Sequence, residues 1–233
     1  MGEPIQLSAV LFDMDGTLVD SAGDLAAAVN DLRVLRGLPP LPAARFRAAA
    51  SVGSSALLQV GLGVTAGDPH FPSLRSEFFK AYEKRCANPA LFPGVDALTR
   101  GLAAEGIPWG IVTNKPQAFA EAIVENAPAL RATRVVIGAR PGIAPKPAPD
   151  GILAALKALG ASSRETAYAG DDRRDVDAAR RAGCTSILAL WGYHPEGANL
   201  RSWEPDFTAD SPLEILQVLH GFPPRWPEPN QLD

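Results

Sequence analysis

Cysteine and histidine are almost missing from this chain: two of the first, Cys86 and Cys184, and three of the second, His70, His194 and His220. The cysteines stand far apart and outside any metal-ligand spacing, so they read as small core residues or unpaired thiols in a reducing cytoplasm. The scattered histidines exclude a histidine-rich metal site. Positive charge is also in short supply, with 22 Lys and Arg against 26 Asp and Glu and a net charge of −4. A nucleic-acid partner would ask for a basic face, so that class is set aside. No apolar run approaches the length of a membrane span. Met1 to Ser8 lacks the basic run and long apolar stretch of a secretory signal. The expectation is a soluble cytoplasmic protein, with no membrane partner and an oligomeric state, monomer or homodimer, left open. What is present is apolar content, 46% of 233 residues, enough for one core domain with a modest insertion.

Ala9-Val10-Leu11-Phe12 is a short, continuously apolar run stopped abruptly by Asp13-Met14-Asp15-Gly16. A strand buried on both faces of a parallel sheet reads this way. Similar runs recur at Trp109 to Val112, Val135 to Ile137, Thr166 to Ala169 and Ser186 to Leu190. Between them, helical spacing covers Val95 to Ala104, Gln117 to Asn126, Asp150 to Leu159 and Val176 to Ala182, with stops such as Gly106, Pro128, Gly160 and Gly183. The alternation predicts an α/β fold, a doubly wound and mainly parallel sheet. Residues 20–89 break the rhythm. They are rich in Ala, Leu and Arg and show no strand pattern, and Leu25 to Leu35, Ala43 to Ala50, Ser55 to Val60 and Ser73 to Arg85 can all be helical. They read as an inserted α-helical cap over the carboxyl ends of the strands, between core segments 1–19 and 90–222. Its hinges are expected at Val19 to Gly23 and Asn88 to Gly94. Residues 223–233, with four prolines, read as a disordered tail.

The motif after the first strand carries most weight. Asp13 and Asp15 lie two residues apart and cannot both face the core unpaired, so both point outward at the strand's carboxyl end. Gly16 and Thr17 then suit a sharp turn. The competing reading is a polar turn that caps a helix. Thr113-Asn114 follows a second strand and offers donors for phosphate oxygens; a helix cap is the alternative. Lys146 sits in Ala144-Pro145-Lys146-Pro147-Ala148-Pro149, where flanking prolines restrict the backbone. It can project a fixed charge toward a phosphate and Asp13, or be a solvated loop lysine. Gly170-Asp171-Asp172-Arg173-Arg174-Asp175 follows a further strand. Its carboxylates suit a hard cation such as magnesium, with Asp171 as direct ligand and Asp175 in support. An acidic helix start is the alternative, and it explains Asp175 more readily than the whole run.

With these four motifs in this order, the chain resembles the haloacid dehalogenase superfamily, in the subgroup typified by phosphoglycolate phosphatase. The resemblance covers nearly all of the chain before the proline-rich tail. It implies a phosphatase of a small phosphorylated metabolite: Asp13 attacks phosphorus to form an aspartyl-phosphate, and Asp15 acts as general acid and then base. It further implies Mg2+ held by Asp13, the Asp15 backbone carbonyl and Asp171, tuned by Asp172 and Asp175. Thr113 and Lys146 stabilise the phosphoryl group, with Asn114 orienting its neighbours. Gly53, Ser54 and Ser55 resemble the substrate-facing cap loop, though a plain turn before a helix explains them equally well. Trp109 to Pro116, Asp171-Asp172 and Trp191 to Glu196 are similar to N-acetylmuramic acid 6-phosphate phosphatases. A sugar phosphomutase and a catalytically inactive binding protein remain the competing classes.

Overall fold

Ala9–Phe12 forms strand β1, and all four residues are buried because its side chains feed two cores. Val10 and Phe12 point into one apolar cluster, while Leu11 points into another with Ile152, Leu156, Ala178 and Ala179. Alternate residues reach opposite faces of a strand, so a strand covered on both faces must be apolar throughout. This is a computed structural model and describes residues 7–221; the tail expected at 223–233 lies outside the described residues.

The other strands are β2 Trp109–Pro116, β3 Val136–Ala139, β4 Thr166–Gly170, β5 Thr185–Ala189 and β6 Phe207–Ala209. All pair in parallel, in the order β3-β2-β1-β4-β5-β6, which is the expected α/β class. The chain builds outward from β1 to β3, then returns to place β4 on the other side of β1. That reversal opens a crevice at the carboxyl ends of β1, β2 and β4, where ligands bind in such sheets.

The flanking helices are α5 Val95–Ala104, α6 Gln117–Asn126, α7 Asp150–Leu159 and α8 Arg173–Ala182. Helix α8 opens with a reciprocal cap. Asp172 accepts from the Arg174 backbone N–H, and Asp175 accepts from the Asp172 N–H, which satisfies N–H groups that the helix cannot.

Between β1 and α5 lie α1 Ala22–Val34, α2 Arg47–Val52, α3 Ser54–Leu62 and α4 Phe71–Glu83, with no strand among them. The segment expected as one helix at 43–50 is divided into a 3-10 turn, Ala43–Phe46, and α2. Helices α1, α3 and α4 pack on one another, and their Val29, Leu57 and Phe78 share one apolar cluster with Phe12 and Trp109 of the sheet. The two expected hinge segments run side by side: Val19 bridges Leu91 antiparallel, Asp20 N–H donates to Ala90 O at 2.8 Å, and Phe92 N–H to Leu18 O at 3.1 Å.

Two elements go beyond the sequence reading, the three-residue β6 and helix α9, Glu214–Leu219. Both are too short to display a period. Strand β2 also runs on to Pro116, past a register irregularity after Val112, so Thr113 and Asn114 lie within its last residues rather than after it.

Candidate active site

Asp13 follows β1 directly, and its backbone N–H still donates to Ala169 O of β4 at 2.8 Å. The chain then tightens into one turn, with Leu18 and Val19 N–H both bonded to Met14 O. Asp13 was expected to face solvent, but it is buried. The strand end opens into a cavity of about 360 Å³ that the helices of residues 20–89 also line, through Ser51, Ser54 and Phe78 among others.

Three buried carboxylates meet here. Oxygens of Asp13, Asp171 and Asp175 all lie within 4.8 Å of one another. Lys146 Nζ bridges two of them, 2.8 Å from Asp13 Oδ1 and 2.5 Å from Asp175 Oδ1, and donates to Tyr168 Oη at 2.9 Å. The contact with Asp13 is an ion pair rather than an aligned hydrogen bond, so Asp13 Oδ1 is buried with no hydrogen-bond donor. Burial pushes the Asp13 carboxyl up to about 6 against the pull of Lys146. Burial, then the neighbouring Asp175 and Asp13, drive Asp171 well above the usual carboxylate range. Burial alone would lower Lys146, but the charges of Asp13 and Asp175 hold it above its ordinary value.

Three carboxylates against one lysine leave an excess of negative charge that neutral donors do not cancel. Among the described residues the Asp171 carboxylate accepts from Thr17 Oγ1 at 3.1 Å and the Tyr193 N–H at 2.8 Å. Hard oxygen ligands, one without a donor, in a buried group of surplus negative charge fit a divalent cation. The backbone closes tightly on that group. Gly16 has φ +83°, and a Cβ at either Gly16 or Gly192 would run into the Asp171 carboxylate. Gly192→Ala should therefore displace Asp171 and weaken divalent-metal affinity by about 10- to 100-fold, measured by metal titration of melting temperature. Unaltered affinity would mean that the carboxylate moves aside freely.

Asn114 and Lys146 lock two loops together. The Lys146 N–H donates to Asn114 Oδ1 at 2.8 Å, and Asn114 Nδ2 donates to Lys146 O at 3.1 Å. Thr113 Oγ1 accepts from the Lys115 N–H at 3.2 Å, which leaves its hydroxyl proton for a ligand. Asp15 accepts from Ser21 Oγ at 2.5 Å and from Lys115 Nζ at 2.9 Å on both oxygens.

Lys115 was not singled out by the sequence reading. It is buried; burial would lower its pKa, but the Asp15 carboxylate outweighs that and holds it above its ordinary value. Its position one residue beyond Thr113-Asn114 was the available signal. Its Nζ also sits 4.5 Å from the Tyr82 ring centroid, so α4 stacks on the cation that holds Asp15.

Asp172 touches the carboxylate group through its backbone, whose N–H donates to Asp175 Oδ2 at 2.9 Å. Its own carboxylate accepts from Arg174 Nε at 2.8 Å and Ser51 Oγ at 2.8 Å. Burial would raise it, but Arg174 more than compensates and holds it at about 2. Arg174 Nη2 reaches Ser51 O at 2.6 Å, so Asp172 and Arg174 tie the sheet to α2. A capping aspartate must aim one oxygen at its own helix, and this one turns the other toward α2. Asp175 stands inside the carboxylate group itself. Gly53, Ser54 and Ser55 line the cavity on the α2–α3 side.

Tyr193 joins the carboxylates to the linkers. Its N–H holds Asp171, while its hydroxyl donates to Asp20 Oδ1 at 2.7 Å and accepts from the Ala22 N–H at 2.9 Å. His194 packs its loop: Nε2 lies 3.1 Å from Ala189 O, and the ring is 6.0 Å from Trp203.

Residues 7–183 match the family described as haloacid dehalogenase-like hydrolases. The chain is 36% identical to an N-acetylmuramic acid 6-phosphate phosphatase of Pseudomonas aeruginosa over 217 residues, covering 92% of this chain and 96% of that protein. It is 39% identical to a phosphoglycolate phosphatase of Xanthomonas campestris pv. campestris over 225 residues, covering 95% and 98%. A crystal structure of a predicted phosphoglycolate phosphatase from Haemophilus somnus 129PT shares the fold, with a TM-score of 0.80 at 24% identity, over 91% of this chain and 98% of that one.

Proposed function

This chain belongs to the haloacid dehalogenase-like hydrolases, and from that membership we propose that it hydrolyses a small phosphomonoester through a covalent phosphoryl group on Asp13. The observation that carries the reading is the buried group of Asp13, Asp171 and Asp175 at the sheet's carboxyl edge, with Lys146 paired to Asp13 and Asp175. In this reading residues 20–89 act as a cap on core segments 1–19 and 90–222, the protein is cytoplasmic, and its partner is a small metabolite rather than nucleic acid. Among the described residues no helix is long and apolar enough to cross a membrane.

Asp13 and Asp171, together with the Asp15 backbone carbonyl, would hold Mg2+, with Asp175 beside them. The ion supplies positive charge that offsets the phosphate oxygens and the carboxylates. An Asp13 oxygen attacks phosphorus, and the bond from phosphorus to the ester oxygen breaks. Asp15 gives its proton to the departing alkoxide, so the alcohol leaves neutral. The Asp15 carboxylate then takes a proton from a water that attacks the phosphoryl group. Inorganic phosphate leaves and the Asp13 carboxylate is restored. Lys146 and the Thr113 hydroxyl donate to the non-bridging oxygens where negative charge gathers. Asn114 positions Lys146 through the paired amide contacts. Lys115 and Ser21 fix the orientation of the Asp15 carboxylate.

Phosphoglycolate and N-acetylmuramic acid 6-phosphate, the substrates named for the two relatives, are the leading candidates. Phosphate release across these two and common sugar phosphates, with Mg2+ present, tests the reading. The expected result is stoichiometric inorganic phosphate with a clear preference among the esters. A phosphomutase would release little phosphate while isomerising a sugar phosphate, and no turnover on any ester would favour a binding protein.

A further inference from the structure

Four cations line the catalytic cavity: Lys115, Lys146, Arg174 and Arg75. The first three are neutralised by acids of the same cavity. Lys115 pairs with Asp15 at 2.9 Å, Lys146 with Asp13 at 2.8 Å and Asp175 at 2.5 Å, and Arg174 with Asp172 at 2.8 Å. Arg75, on α4, differs. Its Nε donates to Ser54 Oγ at 3.1 Å, its guanidinium lies 5.2 Å from the Phe79 ring centroid, and among the described residues no ion pair involves it. The acids that line this cavity are Asp13, Asp15, Asp172 and Asp175, all at the sheet's carboxyl edge, and Arg75 is the one lining cation with no ion pair to them among the described residues.

Aromatic rings and the serines of the α2–α3 side share the remaining walls. Phe79 and Phe119 stack with centroids 5.3 Å apart, and Phe119 meets Tyr82 edge-on at 5.6 Å. Phe71, Arg75, Phe79 and Phe119 also border a second cavity of about 590 Å³ between α4 and α6. The first cavity, about 360 Å³, is within the size that encloses a drug-sized ligand.

From this arrangement we infer that Arg75, supported by Ser54, is the specificity residue that binds a carboxylate on the far end of a sugar-sized phosphomonoester. Phosphate occupies the sheet end, the carbon body lies against Phe79 and Phe119, and the guanidinium receives the distal acid. An arginine suits this role because its planar donors match a carboxylate in pairs. The inference rests on the phosphatase reading above and deepens it by naming the substrate class.

The test compares kcat/KM for N-acetylmuramic acid 6-phosphate and N-acetylglucosamine 6-phosphate, which differ by the lactyl ether that carries the carboxylate. The wild-type enzyme should prefer the acidic ester by about 10- to 100-fold. Arg75→Ala should collapse that ratio to within about threefold, and Arg75→Lys should retain part of it. Arg75 is exposed on its helix, so both variants are expected to fold, which thermal melting verifies. A wild-type ratio near one would overturn the inference, as would equal losses on both esters in Arg75→Ala or a preference for phosphoglycolate over the acidic sugar. Para-nitrophenyl phosphate separates the two levels. If it is hydrolysed while the acidic sugar is not, the Arg75 assignment alone falls. If it too is untouched with Mg2+ present, the phosphatase reading falls and the assignment with it.

Discussion

Replacing Asp13 by Asn lowers kcat by about 10⁴-fold or more, because an amide oxygen cannot displace an alkoxide from phosphorus and no other carboxylate shares its role. The fold survives the change, and the metal-free protein should melt at the same temperature or higher. The sign follows from burial. The Asp13 carboxyl is raised to about 6 in the folded protein, so the stability its neutral form contributes is present below the unfolded value and lost as pH rises through about 6. At neutral pH the ionised group therefore opposes folding. An uncharged Asn relieves that cost, while Lys146 keeps Asp175 and Tyr168. Phosphate release and thermal melting of the variant check both halves. A well-folded Asp13→Asn enzyme with near-normal turnover would remove the nucleophile from the mechanism.

Chelation of divalent metal should take turnover down by about 10³-fold or more and lower the melting temperature, since metal that binds only the folded chain stabilises it. Excess Mg2+ should restore both. Asp171→Asn should respond to neither chelator nor added metal, because it removes one of the three converging carboxylates. The stabilisation by metal also depends on pH. Asp13 and Asp171 are both raised in the metal-free protein, by burial first and by neighbouring carboxylates after it. As pH falls through about 6, protons occupy the oxygens the metal needs, and the metal-free form gains stability of its own. The difference in melting temperature with and without Mg2+ should thus narrow between pH 8 and pH 5. A difference that stayed constant or widened toward acid would mean that these carboxylates do not hold the ion.

The site was legible where its residues sit beside a local signal. Asp13, Asp15, Thr113, Asn114 and Asp171 each close or follow an apolar run, and such a run can only be a strand whose end is a sheet edge. Lys146 stood out because prolines flank it. Lys115 lies beside the same signal yet carried none of its own. Its meaning comes from Asp15, one hundred residues away in sequence and 2.9 Å away in space. Asp172 had no local signal for its second partner: its backbone holds Asp175, and only the fold brings its carboxylate to Ser51 of α2, 121 residues distant.

The amino-acid order alone determined the parallel sheet, the helical insertion after β1 and most of the polar residues that meet at the strand ends, because periodicity and strand-ending acids act over a few neighbouring residues. Only the folded chain decided that Asp13 is buried, that Asp175 meets Asp13 and Asp171 while sharing Lys146 with Asp13, that Tyr193 ties Asp171 to Asp20 and Ala22, and that Arg75 is the cavity's one cation without an ion pair among the described residues. Burial and charge pairing belong to distances between segments far apart in the chain, and those distances exist only after the sheet has brought the segments together.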